Sequence, residues 1–323
     1  MQEPPVLAID LGGTKILIAI VSSEGQVIAR EYCLTLADEG LQAVINRIFS
    51  TIDHLLSQNN IGLSQLHSLS IAAAGIIDFD KGMVTESPNL PGWRDIPLRD
   101  IVTDKYGLKT FLVNDASAAA LGEHRFGAGR GVNNLVYITV STGIGGGIII
   151  NGELYLGASG GAGEIGHTVI DVNGPRCSCG NSGCLEVLAS GTAVAREGIR
   201  RIKGGEGSSL TEIVDGKIED ITAVEVSIAA QGGDSLAAEV ILQAATYLGV
   251  GLLNLVQIFN PEMIIVGGGM SKMGDLLLSP AWQVVRERAF PLLAQTVRIV
   301  VAKLGENVGI IGVAAFAHQQ ESD

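Results

Sequence analysis

Val6-Leu7-Ala8-Ile9-Asp10-Leu11-Gly12-Gly13-Thr14-Lys15 is a short apolar run that ends in an acid and a pair of glycines. Val6 to Asp10 reads as a buried strand. Ile16 to Val21 predicts a second strand directly after the glycines. Glu24-Gly25 is a turn, and Gln26 to Tyr32 predicts a third strand. The whole is a β-meander with a glycine-rich first turn. The same order recurs roughly 130 residues further on. Leu135 to Val140 is an apolar strand running into Ser141-Thr142-Gly143-Ile144-Gly145-Gly146-Gly147. Ile148 to Ile150 is the next strand, Asn151-Gly152 is a hairpin signal, and Glu153 to Leu156 pairs back. Two copies of one unit predict two similar domains facing a shared cleft. Two unrelated hairpins are the alternative.

Around these units the pattern alternates. Leu41, Val44, Ile45, Ile48, Ile52, Leu55 and Leu56 fall on one face of a helix. Leu69 to Ala74 and Phe111 to Val113 predict strands, and Ala116 to Glu123 an Ala-rich helix. Ser235 to Phe259 is a long apolar helical region stopped by Asn260-Pro261. Met263 to Val266 predicts a buried strand ahead of Gly267-Gly268-Gly269, and Val308 to His318 a closing helix. The fold class is α/β.

A chain of 323 residues suggests about two domains. Hydrophobic residues make up 47% and charged residues 17%, enough for a sizeable core and incompatible with wholesale disorder. With 34 acids against 21 bases the net charge is −13, which argues against a nucleic-acid partner, since duplex binding needs a basic face. A small anion stays possible, because backbone N–H groups and a metal can hold one locally. Met1-Gln2-Glu3-Pro4-Pro5 lacks the basic start of an export signal. Ala244 to Phe259 is short for a bilayer and carries Thr246, Asn254 and Gln257. A cytoplasmic protein with no membrane partner is expected.

The two glycine turns suit phosphate, whose oxygens can approach bare backbone N–H groups. Asp10 could hold Mg²⁺ through water, and Thr14 and Thr142 offer hydroxyls. The Walker A spacing is absent. Together with Gly267 to Gly269 after a buried strand, the turns point to a nucleotide; purely structural turns are the alternative. Asn114-Asp115 lies between a strand and a helix. There an acid can cap the helix or accept a hydroxyl proton, and spacing does not separate the two. His167 with Cys177, Cys179 and Cys184 completes a tetrahedral Zn²⁺ shell; four protein ligands make such a zinc structural. Buried free thiols are the alternative. Glu164 and Glu186 flank these ligands and suit hydrogen bonds to a polyol, although each alone reads as a surface acid. Gly157-Ala158-Ser159-Gly160-Gly161 matches a hydrolase pattern but lacks the strand-to-helix elbow that exposes a nucleophile. His54, His67, His124 and His318 have no partner pattern.

Several motifs together resemble the ROK family (repressor, open reading frame, kinase). They are Ile9-Asp10-Leu11-Gly12-Gly13-Thr14-Lys15, Val113-Asn114-Asp115-Ala116, Ser141 to Gly147, Gly163-Glu164-Ile165-Gly166-His167 and the run from Cys177 to Glu186. The resemblance covers the chain from Ala8 to its tail. It implies an actin-like, ribonuclease-H-like duplicated fold: two lobes around a central cleft, with a zinc-binding knot. Residues 1–117 and 305–323 would form the first lobe, and 118–304 the second. It also implies ATP-dependent phosphorylation of a sugar, with a homo-oligomer, a dimer above all, as the assembly. Asp115 would be the base. Asn89, Asn114, Glu164, His167 and Glu186 would hold the sugar. Asp10, Gly12, Gly13, Thr14, Lys15, Thr142 and Gly143 would surround the phosphates and Mg²⁺, with Gly267, Gly268 and Gly269 beside the adenosine. His167 would give one ring nitrogen to zinc and the other to sugar.

Some members are repressors with a DNA-binding segment ahead of the first strand; a strand starting by Val6 disfavours that form. Ser87-Pro88-Asn89-Leu90-Pro91-Gly92-Trp93 and Gly163-Glu164-Ile165-Gly166-His167 are similar to the glucokinase branch; acylmannosamine kinases, by contrast, tend to carry Ala-Glu-Leu-Gly-His at the second of these. Ile71-Ala72-Ala73-Ala74-Gly75 replaces a glycine-proline-glycine type of turn, and its extra methyls would narrow the pocket or tighten the turn. The expected reaction is ATP with glucose giving glucose 6-phosphate. Another hexose (N-acetylmannosamine, mannose or fructose) and a non-catalytic sugar-sensing regulator are the alternatives.

Overall fold

A computed structural model describes residues 3–87 and 89–320. Pro88 of the Ser87–Trp93 segment, the first two residues of the N-terminal run and the last three of the chain lie outside the described residues. The chain divides into two compact units. One holds the described residues up to Asn133, Gly147–Gly163 and those from Ala302 on; the other holds Asn134–Gly146 and Glu164–Val301.

The first unit begins with the meander β1 (Val6–Leu11), β2 (Lys15–Val21) and β3 (Val27–Leu34). Helix α1 (Leu41–Gln58) follows, burying Val44, Ile45, Ile48, Ile52, Leu55 and Leu56 as the helical spacing requires. Then come β4 (Leu69–Ala73), a small antiparallel sheet of β5 (Ile76–Asp78), β6 (Met83–Glu86) and β7 (Arg94–Ile96), helix α2 (Leu98–Tyr106), β8 (Thr110–Asn114) and α3 (Asp115–Phe126). The main sheet has the order β3-β2-β1-β4-β8. Strands β1, β4 and β8 run parallel, and Leu11, Ala73 and Asn114 fall in one row at their carboxyl ends. That end of parallel strands is where α/β folds commonly place ligands. Ala72 and Ala73 are fully buried in this sheet, so their methyls serve the core.

The second unit repeats the order. Strands β9 (Leu135–Val140), β10 (Ile144–Ile150), β11 (Glu153–Leu154), β12 (Met263–Gly267) and β13 (Arg298–Val301) form a sheet ordered β11-β10-β9-β12-β13. The boundary between the units falls within β10. Gly145 to Gly147, expected as loop, are strand residues, so the turn after β9 is only Ser141 to Gly143. Helices α4 (Leu185–Ala189), α5 (Gly191–Lys203), α6 (Leu210–Ile213), α7 (Ala223–Gln231), α8 (Ser235–Phe259), α9 (Asp275–Arg288) and α10 (Pro291–Thr296) cover the sheet, and α11 (Val308–Gln319) returns to the first unit.

Helix α8 is long and apolar enough to cross a membrane by length and composition, unlike its second half alone. Here it lies in the core of the second unit, with Leu236, Val240, Ile241, Leu248, Leu252 and Val256 buried beside α7 and α9. Its ends are well defined: the Asp234 side chain accepts the Ala237 N–H, and Asn260 takes the left-handed conformation that closes the last turn.

Candidate active site

The turn between β1 and β2 is held by its carbonyls. The Gly12 N–H donates to the Lys15 carbonyl at 3.1 Å. Thr35, completely buried just beyond β3, donates its hydroxyl to the Gly12 carbonyl (2.7 Å) and its N–H to the Thr14 carbonyl (2.9 Å). Among the described residues, the N–H groups of Gly13 and Thr14 meet no acceptor. Carbonyls drawn inward and N–H groups turned outward make an anion-binding concavity. Asn89 lies directly over this turn: a Cβ at position 13 would stand 2.7 Å from both the Cβ and the carbonyl oxygen of Asn89. Glycine is needed there for the approach, and the turn thereby meets the segment expected to reach sugar.

Asp10 is half-buried in β1, with its carboxylate against Gly309 of α11. Burial lifts its pKa from the ordinary 3.8 to about 7; the Asp115 carboxylate adds to the rise and Lys15 opposes it. The carboxylates of Asp10 and Asp115 together form a hard-oxygen set that suits Mg²⁺.

The capping ambiguity at Asn114-Asp115 resolves on Asn114. Its Oδ1 accepts the N–H groups of Ala116 (2.9 Å) and Ser117 (3.2 Å), and its Nδ2 donates to the Gly75 carbonyl (3.0 Å). Asn114 is thus the cap of α3 and pins the turn after β4, with one amide hydrogen remaining beyond these bonds. Asp115 opens the helix, half-buried, its Oδ1 accepting the Ala116 N–H at 2.8 Å. A carboxylate at a helix N-terminus is favoured in its charged form by the helix dipole.

The turn after β9 follows the same scheme with other staples. Ser141 N–H donates to the Gly143 carbonyl (2.8 Å), Gly191 N–H to the Ser141 carbonyl (2.7 Å), and the Thr192 hydroxyl to the Thr142 carbonyl (2.8 Å). Among the described residues, the N–H groups of Thr142 and Gly143 meet no acceptor. Ser141 and Thr142 open onto a cavity of about 580 Å³ whose apolar wall includes Ile221, Val224, Ile228 and Met273. Gly269 lines it too, while Gly267 and Gly268 pack against Tyr137 and Val140 of β9. A turn offering N–H groups beside an apolar slot is a fit for a phosphate joined to an aromatic base.

His167 and the three cysteines come together. The His167 Nδ1 lies 3.5 Å from Cys177 Sγ, Cys179 Sγ lies 3.6 Å from Cys184 Sγ, and one ligand atom from each of the four falls within 4.8 Å of all the others. A tetrahedral zinc with Zn–S near 2.3 Å has ligand–ligand edges of about 3.5–3.8 Å. The observed distances and the thiolate-rich set fit that ion. The Asn181 N–H, chiefly, lowers the Cys179 thiol to about 7, favouring the thiolate a metal needs. The other ring nitrogen, His167 Nε2, lies 4.0 Å from Glu164 Oε2. Partial burial raises the Glu164 pKa; Glu186 adds to the rise, while His167 opposes it.

The expected site residues thus gather in two sets. Asp10, Gly12, Gly13, Thr14, Lys15, Asn89, Asn114 and Asp115 belong to the first unit. Thr142, Gly143, Glu164, His167, Glu186, the cysteines and Gly267 to Gly269 belong to the second. The hydrolase-like Gly157–Gly161 run is a turn with no helix after it. His54 pairs with Glu31 at 2.8 Å on the surface, and His67 stacks on His318.

The ROK family pattern matches residues 6–320. The chain belongs to the ROK family. A glucokinase of Halalkalibacterium halodurans is 38% identical over 323 residues, covering 100% of this chain and 97% of the relative. A xylose repressor of Caldicellulosiruptor bescii is 36% identical over 96% of this chain and 77% of its own length. The crystal structure of a ROK family glucokinase from Streptomyces griseus, in complex with glucose and AMPPNP, superposes with a TM-score of 0.84 at 34% identity, covering 98% of this chain and 99% of that one. The mixed α/β fold is that of ROK sugar kinases, of the actin-like ATPase type.

Unmarked in the sequence were Thr35, Gly191 and Thr192, which staple the turns, and the apolar cavity wall. The staples are distant in sequence from what they hold, and the wall residues share their types with the core.

Proposed function

We propose that this ROK protein transfers the γ-phosphoryl group of ATP to the 6-hydroxyl of glucose. The observation that carries this is full-length likeness to glucokinases, one of them solved with glucose and AMPPNP, in a chain that keeps both N–H-presenting turns and Asp115. Asp115 accepts the proton of the attacking hydroxyl. Asn114 fixes Asp115 by capping its helix, and Asn89, Glu164, His167 and Glu186 hold the remaining hydroxyls. The N–H groups of Gly13, Thr14, Thr142 and Gly143 take phosphate oxygens, and the cavity at Gly269 takes the adenosine. Catalysis of this kind is positioning plus charge stabilisation. Mg²⁺ beside Asp10 and Lys15 would offset phosphate charge, and zinc on His167, Cys177, Cys179 and Cys184 would keep that imidazole in place. One structural zinc per chain and a homodimer accompany this assignment.

The likeness to xylose repressors favours one second reading, a regulator that binds sugar without turnover. A coupled assay with ATP and a panel of glucose, N-acetylmannosamine, mannose and fructose decides. Glucose is expected to give the highest kcat/KM. Preference for another hexose would move the substrate. Saturable sugar binding with no turnover of any of them would establish the regulator.

A further inference from the structure

Ile144 is the first residue after the second turn, and two segments converge on it. Its N–H donates to Glu186 Oε2 at 2.9 Å. Its carbonyl lies so close to Gly166 that any Cβ at position 166 would overlap it. The Glu186 carboxylate also fills the space beside Gly143 where a side chain would otherwise stand. Gly166 immediately precedes His167, and Glu186 follows Cys184 by two residues. Both clamps on Ile144 are therefore anchored next to atoms of the candidate metal shell. The two segments are also tied to each other, through the Leu185 N–H on the Thr168 carbonyl (2.9 Å) and the bridge between Val169 and Cys184.

We infer that the His167–Cys184 knot braces the nucleotide's phosphate turn, with Glu186 as the positioning residue between them, so that metal occupancy sets nucleotide affinity even when no sugar is present. This rests on Ser141–Gly143 being a nucleotide contact. A knot that only shaped the sugar side through Glu164 and His167 would leave nucleotide binding alone unmoved. Glu186 acts here through the backbone of Ile144, whose N–H is left without its acceptor when the carboxylate is removed.

The test is calorimetric titration of AMPPNP without sugar, on zinc-loaded wild type, Glu186→Ala, Glu186→Gln and Gly166→Ala, with zinc measured in each. The dissociation constant is expected to rise about tenfold in Glu186→Ala. It should stay within about twofold in Glu186→Gln, whose amide oxygen still accepts from Ile144. Gly166→Ala should weaken binding comparably to Glu186→Ala. Chelator-treated wild type should lose affinity and recover it on adding zinc back. A wild-type dissociation constant in zinc-bearing Glu186→Ala overturns the inference. Should that variant not fold, unchanged affinity through the chelation and reloading of wild type overturns it instead. Absence of AMPPNP binding to zinc-loaded wild type would instead remove the kinase reading itself.

Discussion

The two five-stranded sheets share one strand order and the same three-residue turn after the first strand, yet they carry different chemistry. In β1 the penultimate residue is Asp10; in β9 it is Thr139. Asp115 opens the helix after β8 and faces Asp10, whereas the second unit brings a His–Cys cluster and an apolar cavity to its turn. What the units have in common is backbone: a tight turn, carbonyls tied back, N–H groups outward. What separates them is the side chains placed one layer behind. Even the staples differ, since Thr35 is wholly buried and Thr192 is exposed.

This contrast can be broken at its strongest point by Asp115→Asn. The carboxylate is lost with little change in shape, so kcat should fall about 10³-fold while sugar and nucleotide affinities stay within a few-fold. Turnover within tenfold of wild type would show that the first unit's acid is not the proton acceptor. Next in size is removal of metal, which touches only the second unit. Chelator dialysis should lower the melting temperature by at least about 5 °C, and metal analysis before treatment should find about one zinc per chain.

The staples give a finer comparison. Thr35→Val leaves the half-buried Gly12 carbonyl without its wholly buried hydroxyl donor and should raise the KM for ATP about five- to tenfold. Thr192→Val exposes its carbonyl to water, which can replace the lost bond, so the rise should be within about twofold. Equal effects would mean that burial does not distinguish the two turns. Smallest is the pH dependence of Asp10. Its pKa is raised from 3.8 to about 7, so the stability it contributes is complete below about 4 and is lost as pH climbs through about 7. Asp10→Asn should melt with wild type near pH 4.5 and on the order of 2 °C above it at pH 8, measured without nucleotide or Mg²⁺. A gap that does not widen with pH would mean that Asp10 is not held in its neutral form.

The parts of this architecture that were legible in the sequence are the local ones. Apolar periodicity marked β1, β2, β9, α1 and α8 closely, because strand and helix periods are written in adjacent residues. The gathering of His167 with the cysteines was legible because Cys177, Cys179 and Cys184 lie within eight residues of one another. Gly145 to Gly147 were expected as loop because glycine usually breaks strands, but they lie within β10, where Gly147 passes tightly against Ala116 and Ala120 of α3. Spacing alone left open whether the acid after β8 caps α3, and the cap bonds fall to Asn114 instead. Glu123 had no signal at all. In an Ala-rich helix it reads as a surface acid, yet it is completely buried and accepts the N–H groups of Ala128, Lys303 and Leu304 at 2.7–2.8 Å. A carboxylate satisfied by three amides is a long-range tie, and nothing in its neighbours in sequence announces it.

That tie has a consequence for how the protein is made. Glu123 fastens the end of α3 to the strand of chain leading into α11, and α11 packs on α3 and β1 with Ile310 through Ala317 buried. The ribosome therefore delivers β1 to α3 first and their covering helix only after roughly 180 intervening residues, most of them of the other unit. At 5–20 residues per second that is a delay of roughly ten to forty seconds, during which the apolar surface reserved for α11 has no native cover. The second unit, nearly continuous in sequence, has no such wait. The nascent first half is thus the stage at which a chaperone would find most to hold.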